Sequence, residues 1–171
     1  WWSEDDRWLA YTRVDEAGVT LVNRYEIGAE GVTSVPQRYP FAGEANAEVR
    51  LFLLDRQSGE TREIDWRRAD DDYLVRVDFA PDSTLAVQRQ SRDQQRLDLV
   101  FVEPRTLGQT VVLTEQSDTW VNLHSDLTFF KRDDRFLWTS ERDGYRHLYL
   151  YRRDGTLERP LTSGAWALAD T

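Results

Sequence analysis

Short runs of aromatic and branched apolar residues recur along this chain, each set off by a polar turn. Three of them read nearly alike: "WSEDDRWLAYT" from Trp2, "FAPDSTLAVQR" from Phe79 and "FKRDDRFLWTS" from Phe130. Each begins with an aromatic residue, places an Asp three positions later (Asp5, Asp82, Asp133) and a large apolar residue at offset six (Trp8, Leu85, Phe136). An Asp in such a place makes a turn by accepting hydrogen bonds from nearby backbone N–H groups. The run that follows has the side chains of a strand packed between two sheets. The spacing predicts that Trp8, Leu85 and Phe136 occupy equivalent buried positions.

A second element also recurs. "VRLFLLDRQSGETREI" (49–64), "LDLVFVEPRTLGQTVVL" (97–113) and "HLYLYRRDGTLERPL" (147–161) are each strand, polar turn and strand, with Gly59, Gly108 and Gly155 in the turns. Glycine supplies the positive φ that hairpin turns demand. A Trp follows the second and third hairpins, Trp120 and Trp166, where the next unit is expected to open. Repeated units of this kind, built of strands and tens of residues long, indicate propeller blades. The predicted fold is therefore all-β: a partial β-propeller of three four-stranded antiparallel blades over 1–66, 67–118 and 119–165, the start of a fourth, and hardly any helix. Three blades do not close a ring, so open sheet edges are expected.

The step between the first two copies is longer than the next one. The extra material, "YEIGAEGVTSVPQRYPFAGEANAE" (25–48), is rich in Gly, Pro and Ala and shows no steady strand alternation. It is expected to be an extended excursion from the first blade. Tyr25, Val32, Val35, Tyr39 and Phe41 make it too apolar for a free loop, so something is expected to cover it.

Composition changes this picture little. The 171 residues are 40% hydrophobic and 31% charged, with a net charge of −9, which disfavours nonspecific nucleic-acid binding. No apolar run reaches the roughly 18 to 20 residues of a membrane-spanning helix. The chain has no Cys, and so no disulfide, and no Met; its one Lys, Lys131, stands beside 21 Arg. A chain that opens on Trp1 is expected to be a piece of a longer protein, and its Arg bias suggests a GC-rich bacterial genome.

Candidate chemistry is sparse. His124, Ser125 and Asp126 are neighbours in "NLHSDL", whereas a Ser/His/Asp triad is assembled in space from separate elements. There is no G-x-S-x-G elbow, no H-E-x-x-H metal spacing, no EF-hand pattern and no glycine-rich phosphate loop. His147 in "GYRHLYLY" has the place of a structural strand residue. "RRADDD" (67–72) has the look of a solvated turn, with one carboxylate able to meet an Arg across a blade. No cofactor and no metal site is expected.

Five stretches in order over nearly the whole chain resemble the dipeptidyl peptidase IV family of prolyl-oligopeptidase-like serine peptidases, its bacterial members above all. "YPFAGEANAEV" resembles the family's Tyr-Pro-x-Ala-Gly-x-x-Asn segment, and "SERDGYRHLY" its Glu-x-Gly-Tyr-Arg-His stretch. The others are "WWSEDDRWLAYTRVDE", "YLVRVDFAPDSTLAVQRQSRDQQRLDLVFVEP" and "PLTSGAW". The resemblance implies an N-terminal eight-bladed propeller joined to a C-terminal α/β-hydrolase domain. It implies an enzyme that releases N-terminal dipeptides with Pro or Ala in the second position. The hydrolase domain carries the triad, and a Glu pair shortly before the "WWS" stretch grips the substrate's α-amino group. Neither falls within this chain, which is expected to be inactive alone. A propeller loop after "TWV" lines the outer substrate pocket in some members, which points to Asn122 and His124. The aromatic and the Arg of those members are absent here. The excursion matches an arm that helps form a homodimer, which points to Tyr25, Tyr39 and Phe41. The implied location is the bacterial periplasm or the exterior, with the cytoplasm left open. The alternative is a non-catalytic binding or scaffold propeller, since some relatives of the family have lost the nucleophile.

Overall fold

A computed structural model describes residues 1–169. Among them the regular structure is entirely β, in thirteen strands. The first sheet contains β1 (Trp8–Asp15), β4 (Glu48–Asp55) and β5 (Thr61–Ile64). The second is β6 (Tyr73–Phe79), β7 (Leu85–Gln90), β8 (Arg96–Val102) and β9 (Gln109–Gln116) in chain order. The third is β10 (Thr128–Phe129), β11 (Arg135–Ser140), β12 (His147–Arg152) and β13 (Leu157–Pro160). The remaining pair, β2 (Leu21–Gly28) and β3 (Gly31–Arg38), forms a separate two-stranded ribbon between β1 and β4. All neighbours pair antiparallel.

Three consecutive blade-like sheets, not closed into a ring, are the expected partial propeller. The first blade differs from expectation in having three strands. Its fourth place is held only by an isolated bridge from Trp2 to Leu9.

Side-chain alternation divides the core in two. Leu85 and Val87 of β7, with Val100 and Val102 of β8, pack back on Trp8, Ala10, Leu51, Leu53 and Ile64 of the first sheet. Ala86, Leu97, Leu99 and Phe101 leave the other face and meet Phe136, Trp138, Tyr149 and Tyr151 of the third sheet. The middle sheet is thus buried on both faces, so β8 reads as a near-continuous apolar run. Each fully buried large side chain contributes on the order of 1.5–3 kcal/mol.

Trp8, Leu85 and Phe136 are all buried, at 4%, 0% and 0% exposure. They are not equivalent. Phe136 stands opposite Tyr151 and Leu85 opposite Val102, and the matching place in the first sheet is Leu9, opposite Leu54. Trp8 precedes it, pairs with Asp55 and faces forward onto the second sheet. The cause is where the first aromatic stands on its turn: Trp2 lies one residue before the closing N–H, Phe130 itself carries it, and Phe79 also lies one residue before it but on a shorter turn. The turn closes from Ser3 N–H to Trp8 C=O and from Phe130 N–H to Arg135 C=O, but from Ala80 N–H to Thr84 C=O, one residue shorter. One residue of offset moves a strand side chain to the opposite face.

The turns follow the expected chemistry in part. Asp5 accepts from the Arg7 N–H and Asp82 from the Thr84 N–H, each at 3.1 Å. Asp133 instead takes the Arg135 guanidinium, with Nε at 2.8 Å. Gly59 and Gly155 have positive φ, whereas in the second hairpin Leu107 adopts it (φ 58°) and Gly108 does not. In "RRADDD", Asp72 closes its own turn by accepting from the Arg68 and Ala69 N–H groups, at 2.9 and 3.1 Å, rather than meeting an Arg across a blade.

The excursion is more ordered than its composition predicts. Its regular part is the β2–β3 hairpin, paired without a slip from Leu21 and Arg38 to Gly28 and Gly31. "LVNRYEIG" does alternate, placing Leu21, Tyr25 and Ile27 on one face, and Val32 opposite Ile27 joins them. That face is open: these four residues are 62%, 64%, 84% and 63% exposed. Tyr39 and Phe41 follow the ribbon, edge to face at 5.5 Å, and are about half exposed.

Candidate functional site

The β7–β8 turn, the β9–β10 connection, the β11–β12 turn and the base of the ribbon meet along one rim of the sheets. Arg92 of the β7–β8 turn donates to the Glu44 carbonyl beside the ribbon at 2.9 Å. The same turn ties down the β9–β10 connection. Val121 N–H donates to the Gln94 carbonyl at 2.8 Å, Ser117 N–H to the Gln95 carbonyl at 3.0 Å, and Gln90 Nε2 to the Val121 carbonyl at 3.0 Å. Residues 117–127 thus follow a fixed course although they form no strand.

That course opens a cavity of about 310 Å³ against the β11–β12 turn, with Trp120, Val121, Asn122, His124, Trp138 and Glu141 among its walls. Its front edge is a relay. The Trp120 indole N–H donates to Asn122 Oδ1 at 3.1 Å, and Asn122 Nδ2 donates to Glu141 Oε2 at 2.6 Å. His124 Nε2 lies 3.8 Å from Glu141 Oε1. Glu141 is fixed in direction because the rest of its turn is anchored inward. Arg142 donates to Glu115 Oε1 at 2.5 Å and stacks on the Tyr149 ring at 4.7 Å. Asp143 accepts the Tyr149 hydroxyl at 2.5 Å, and Gly144 takes φ 90°.

The rear wall is charged but balanced. Glu115 is 8% exposed and accepts from Trp138 Nε1 at 3.0 Å and Ser140 Oγ at 2.8 Å besides Arg142. Burial and the neighbouring Asp143 push the Tyr149 hydroxyl up to about 12. It therefore stays a neutral donor throughout the physiological range.

The structure brings Asn122 and His124 together, and joins them to Glu141, which lies in the "SERDGYRH" stretch but carried no sign of this role. Asp126 serves a different purpose from its neighbours. It accepts from Thr139 Oγ1 at 2.8 Å and pairs with the Arg146 guanidinium. Burial pushes its carboxyl up, and these hydrogen bonds and the Arg146 charge outweigh that and hold it below the usual carboxylate range. Asp126 is thus held chiefly by Thr139 and Arg146, and the charge effect of His124 is the smallest of the influences on it. His147 is 2% exposed, bonded to Thr162 Oγ1 at 3.1 Å and the Gly164 carbonyl at 3.0 Å, with the Trp166 ring edge-on at 5.2 Å. It is a structural residue. Tyr25, Tyr39 and Phe41 belong to the ribbon and the segment after it, on open surface. Among the described residues no three His, Asp or Glu side chains cluster as a metal site.

The whole chain, residues 1–171, matches the model of the dipeptidyl peptidase IV (DPP IV) N-terminal region. A Fusarium vanettenii protein named "Probable dipeptidyl-aminopeptidase B" is 29% identical over 99% of this chain and 22% of its own length. An Aspergillus flavus protein named "Probable dipeptidyl peptidase 4" is 27% identical over 97% of this chain and 24% of its own length. The chain thus spans about a quarter of the curated relatives it matches. In three dimensions it is similar to the crystal structure of Porphyromonas gingivalis dipeptidyl peptidase 4. The TM-score is 0.88 at 29% identity, over 99% of this chain and 24% of that one. With the match unbroken from the first residue to the last, the chain belongs to the dipeptidyl peptidase IV N-terminal region family.

Proposed function

We propose that this chain is the propeller portion of a serine-type dipeptidyl peptidase that releases N-terminal dipeptides with Pro or Ala in the second position. Its rim cavity borders the peptide, with Asn122 and His124 as contacts. A C-terminal α/β-hydrolase domain supplies the triad, and the enzyme works in the periplasm or outside the cell. The carrying observation is the cavity held by the Trp120–Asn122–Glu141 relay. It is concave, has an aromatic side and places a few fixed polar groups on one edge, as ligand sites do.

The ribbon has its own part in this reading: it docks on a second copy of the enzyme through Tyr25, Tyr39 and Phe41. An isolated two-stranded hairpin is marginal in water, and an apolar face held open on one invites a partner.

The test is release of a chromophore from Gly-Pro and Ala-Pro derivatives by the longer protein that carries this chain. Turnover is expected, to be abolished when the triad Ser is replaced by Ala and weakened in KM by Asn122→Ala. A longer protein that binds such peptides without cleaving them is the scaffold propeller instead.

A further inference from the structure

We infer that Glu141 makes the rim cavity selective for a cationic side chain, lysine or arginine, on the first residue of the peptide. The inference rests on the peptidase reading. With Pro or Ala fixed in the second position, the first residue carries the side chain of the released dipeptide that varies.

The electrostatics of the walls support it. The Glu115 and Arg142 charges cancel at the rear, at 2.5 Å. That leaves Glu141, whose side chain is 42% exposed at the cavity edge. Its Oε2 takes a neutral amide from Asn122. Among the described residues, the cationic-capable group within ion-pair range of Oε1 is His124, at 3.8 Å. Among the described residues no guanidinium or ammonium stands within ion-pair range of Glu141, so its carboxylate is the charge of the cavity that faces outward.

The second element is Trp120, 59% exposed and part of the same wall. Its N–H is spent on Asn122, which fixes the ring's orientation. A lysine or arginine stem can lie on an indole face while its head reaches a carboxylate, combining apolar contact, cation–π attraction and an ion pair. About 310 Å³ is at the small end of ligand cavities and suits one side chain rather than a peptide.

The experiment compares kcat/KM of the longer protein on Lys-Pro, Nle-Pro and Glu-Pro p-nitroanilides, where norleucine keeps the lysine stem without its charge. The Lys/Nle ratio is expected at roughly fivefold to tenfold at low salt. It should fall toward one in Glu141→Gln and shrink as salt screens the pair. Glu141→Lys should invert the Lys/Glu order. A wild-type ratio of one, or a ratio that Glu141→Gln leaves intact, overturns the inference. If no substrate turns over, the peptidase reading fails on its own account. Calorimetric binding of Lys-Pro-Ala and Nle-Pro-Ala then reads the preference directly, and equal affinity for the two overturns the selectivity.

Discussion

Strand β8, "RLDLVFV", and the ribbon strand β2, "LVNRYEIG", each carry several large apolar residues, yet they end in opposite surroundings. From Leu97 to Val102 every residue of β8 is buried, while β2 has no buried residue at all. The difference is not propensity, since both are regular antiparallel strands. It lies in what stands on either side. β8 has a sheet on each face, while β2 has one partner strand and solvent. An apolar side chain stabilises a fold only through the neighbour that removes it from water. The middle sheet finds its neighbours within the chain, and the ribbon's apolar face meets none there.

The sharpest way to break this comparison is to hollow out the inter-sheet core. Phe136 packs between Phe101, Phe129 and Tyr151, with ring centroids 5.4–6.1 Å away. Phe136→Ala should lower stability to urea by about 3 to 5 kcal/mol. A loss below 1 kcal/mol would mean that the sheets do not depend on each other.

The one charge buried in β8 comes next. Asp98 is 1% exposed, near Arg89 and Arg96 at 3.3 and 2.9 Å, and accepts from Thr114 at 2.7 Å. Burial raises its pKa, and the Thr114 and Arg96 hydrogen bonds together with the Arg charges outweigh that and leave it lowered. A depressed carboxylate stabilises the fold above its unfolded value of about 3.9, and that contribution is lost as pH falls through the lower folded value. Asp98→Ala should cost about 3 kcal/mol at pH 7. Asp98→Asn should flatten the loss of stability below pH 4. An unchanged acid limb in urea titrations would remove Asp98 from this role.

A smaller effect separates two turn glycines. A Cβ on Gly155 would sit 2.2 Å from the Val112 carbonyl of the second sheet, whereas one on Gly59 meets nothing within 4 Å. Both have positive φ, so Gly59→Ala should cost about 1 to 2 kcal/mol for conformation alone. Gly155→Ala should cost more, because the third sheet must also back away from the second. Equal melting temperatures would show that the two sheets touch loosely there.

The smallest expected change is at the ribbon. Ile27→Ser should leave the chain's own unfolding within about 0.5 kcal/mol, as for surface substitutions generally. In the longer protein, the proposed docking of two copies through the ribbon predicts a shift toward monomer by light scattering. A large loss of stability in the monomer would place Ile27 in a core of its own.

The blades are legible in the sequence because alternation and turn chemistry are local. Gly59 and Gly155 mark hairpins, and the Asp5 and Asp82 turns announce strands. The ribbon was half legible. Leu21, Tyr25 and Ile27 keep strand period, but Gly28, Gly31 and Pro36 mask it, so the composition suggests a loop. The site was the least legible part. Asn122 and His124 could be named only by resemblance. Glu141 meets Asn122 across 19 residues of chain, through a contact between loops of different sheets that no local pattern encodes.

The shorter turn before β7 has a consequence for how such a chain can drift over generations. The turns before β1 and β11 carry one residue more, yet Leu9, Leu85 and Phe136 all keep the same place opposite the neighbouring strand. Insertions in these turns are absorbed where they occur and are not passed on. In the inner pairs β1–β4, β7–β8 and β11–β12, which run without a slip, the parity of each position is protected, because a single insertion there would turn a whole row of core side chains toward the wrong sheet; the slips fall on the pairs with the outer strands β6, β9 and β13. Length is thus free to vary at the bends and locked in the inner strands, and two copies of the repeat can differ in residue count while remaining the same blade.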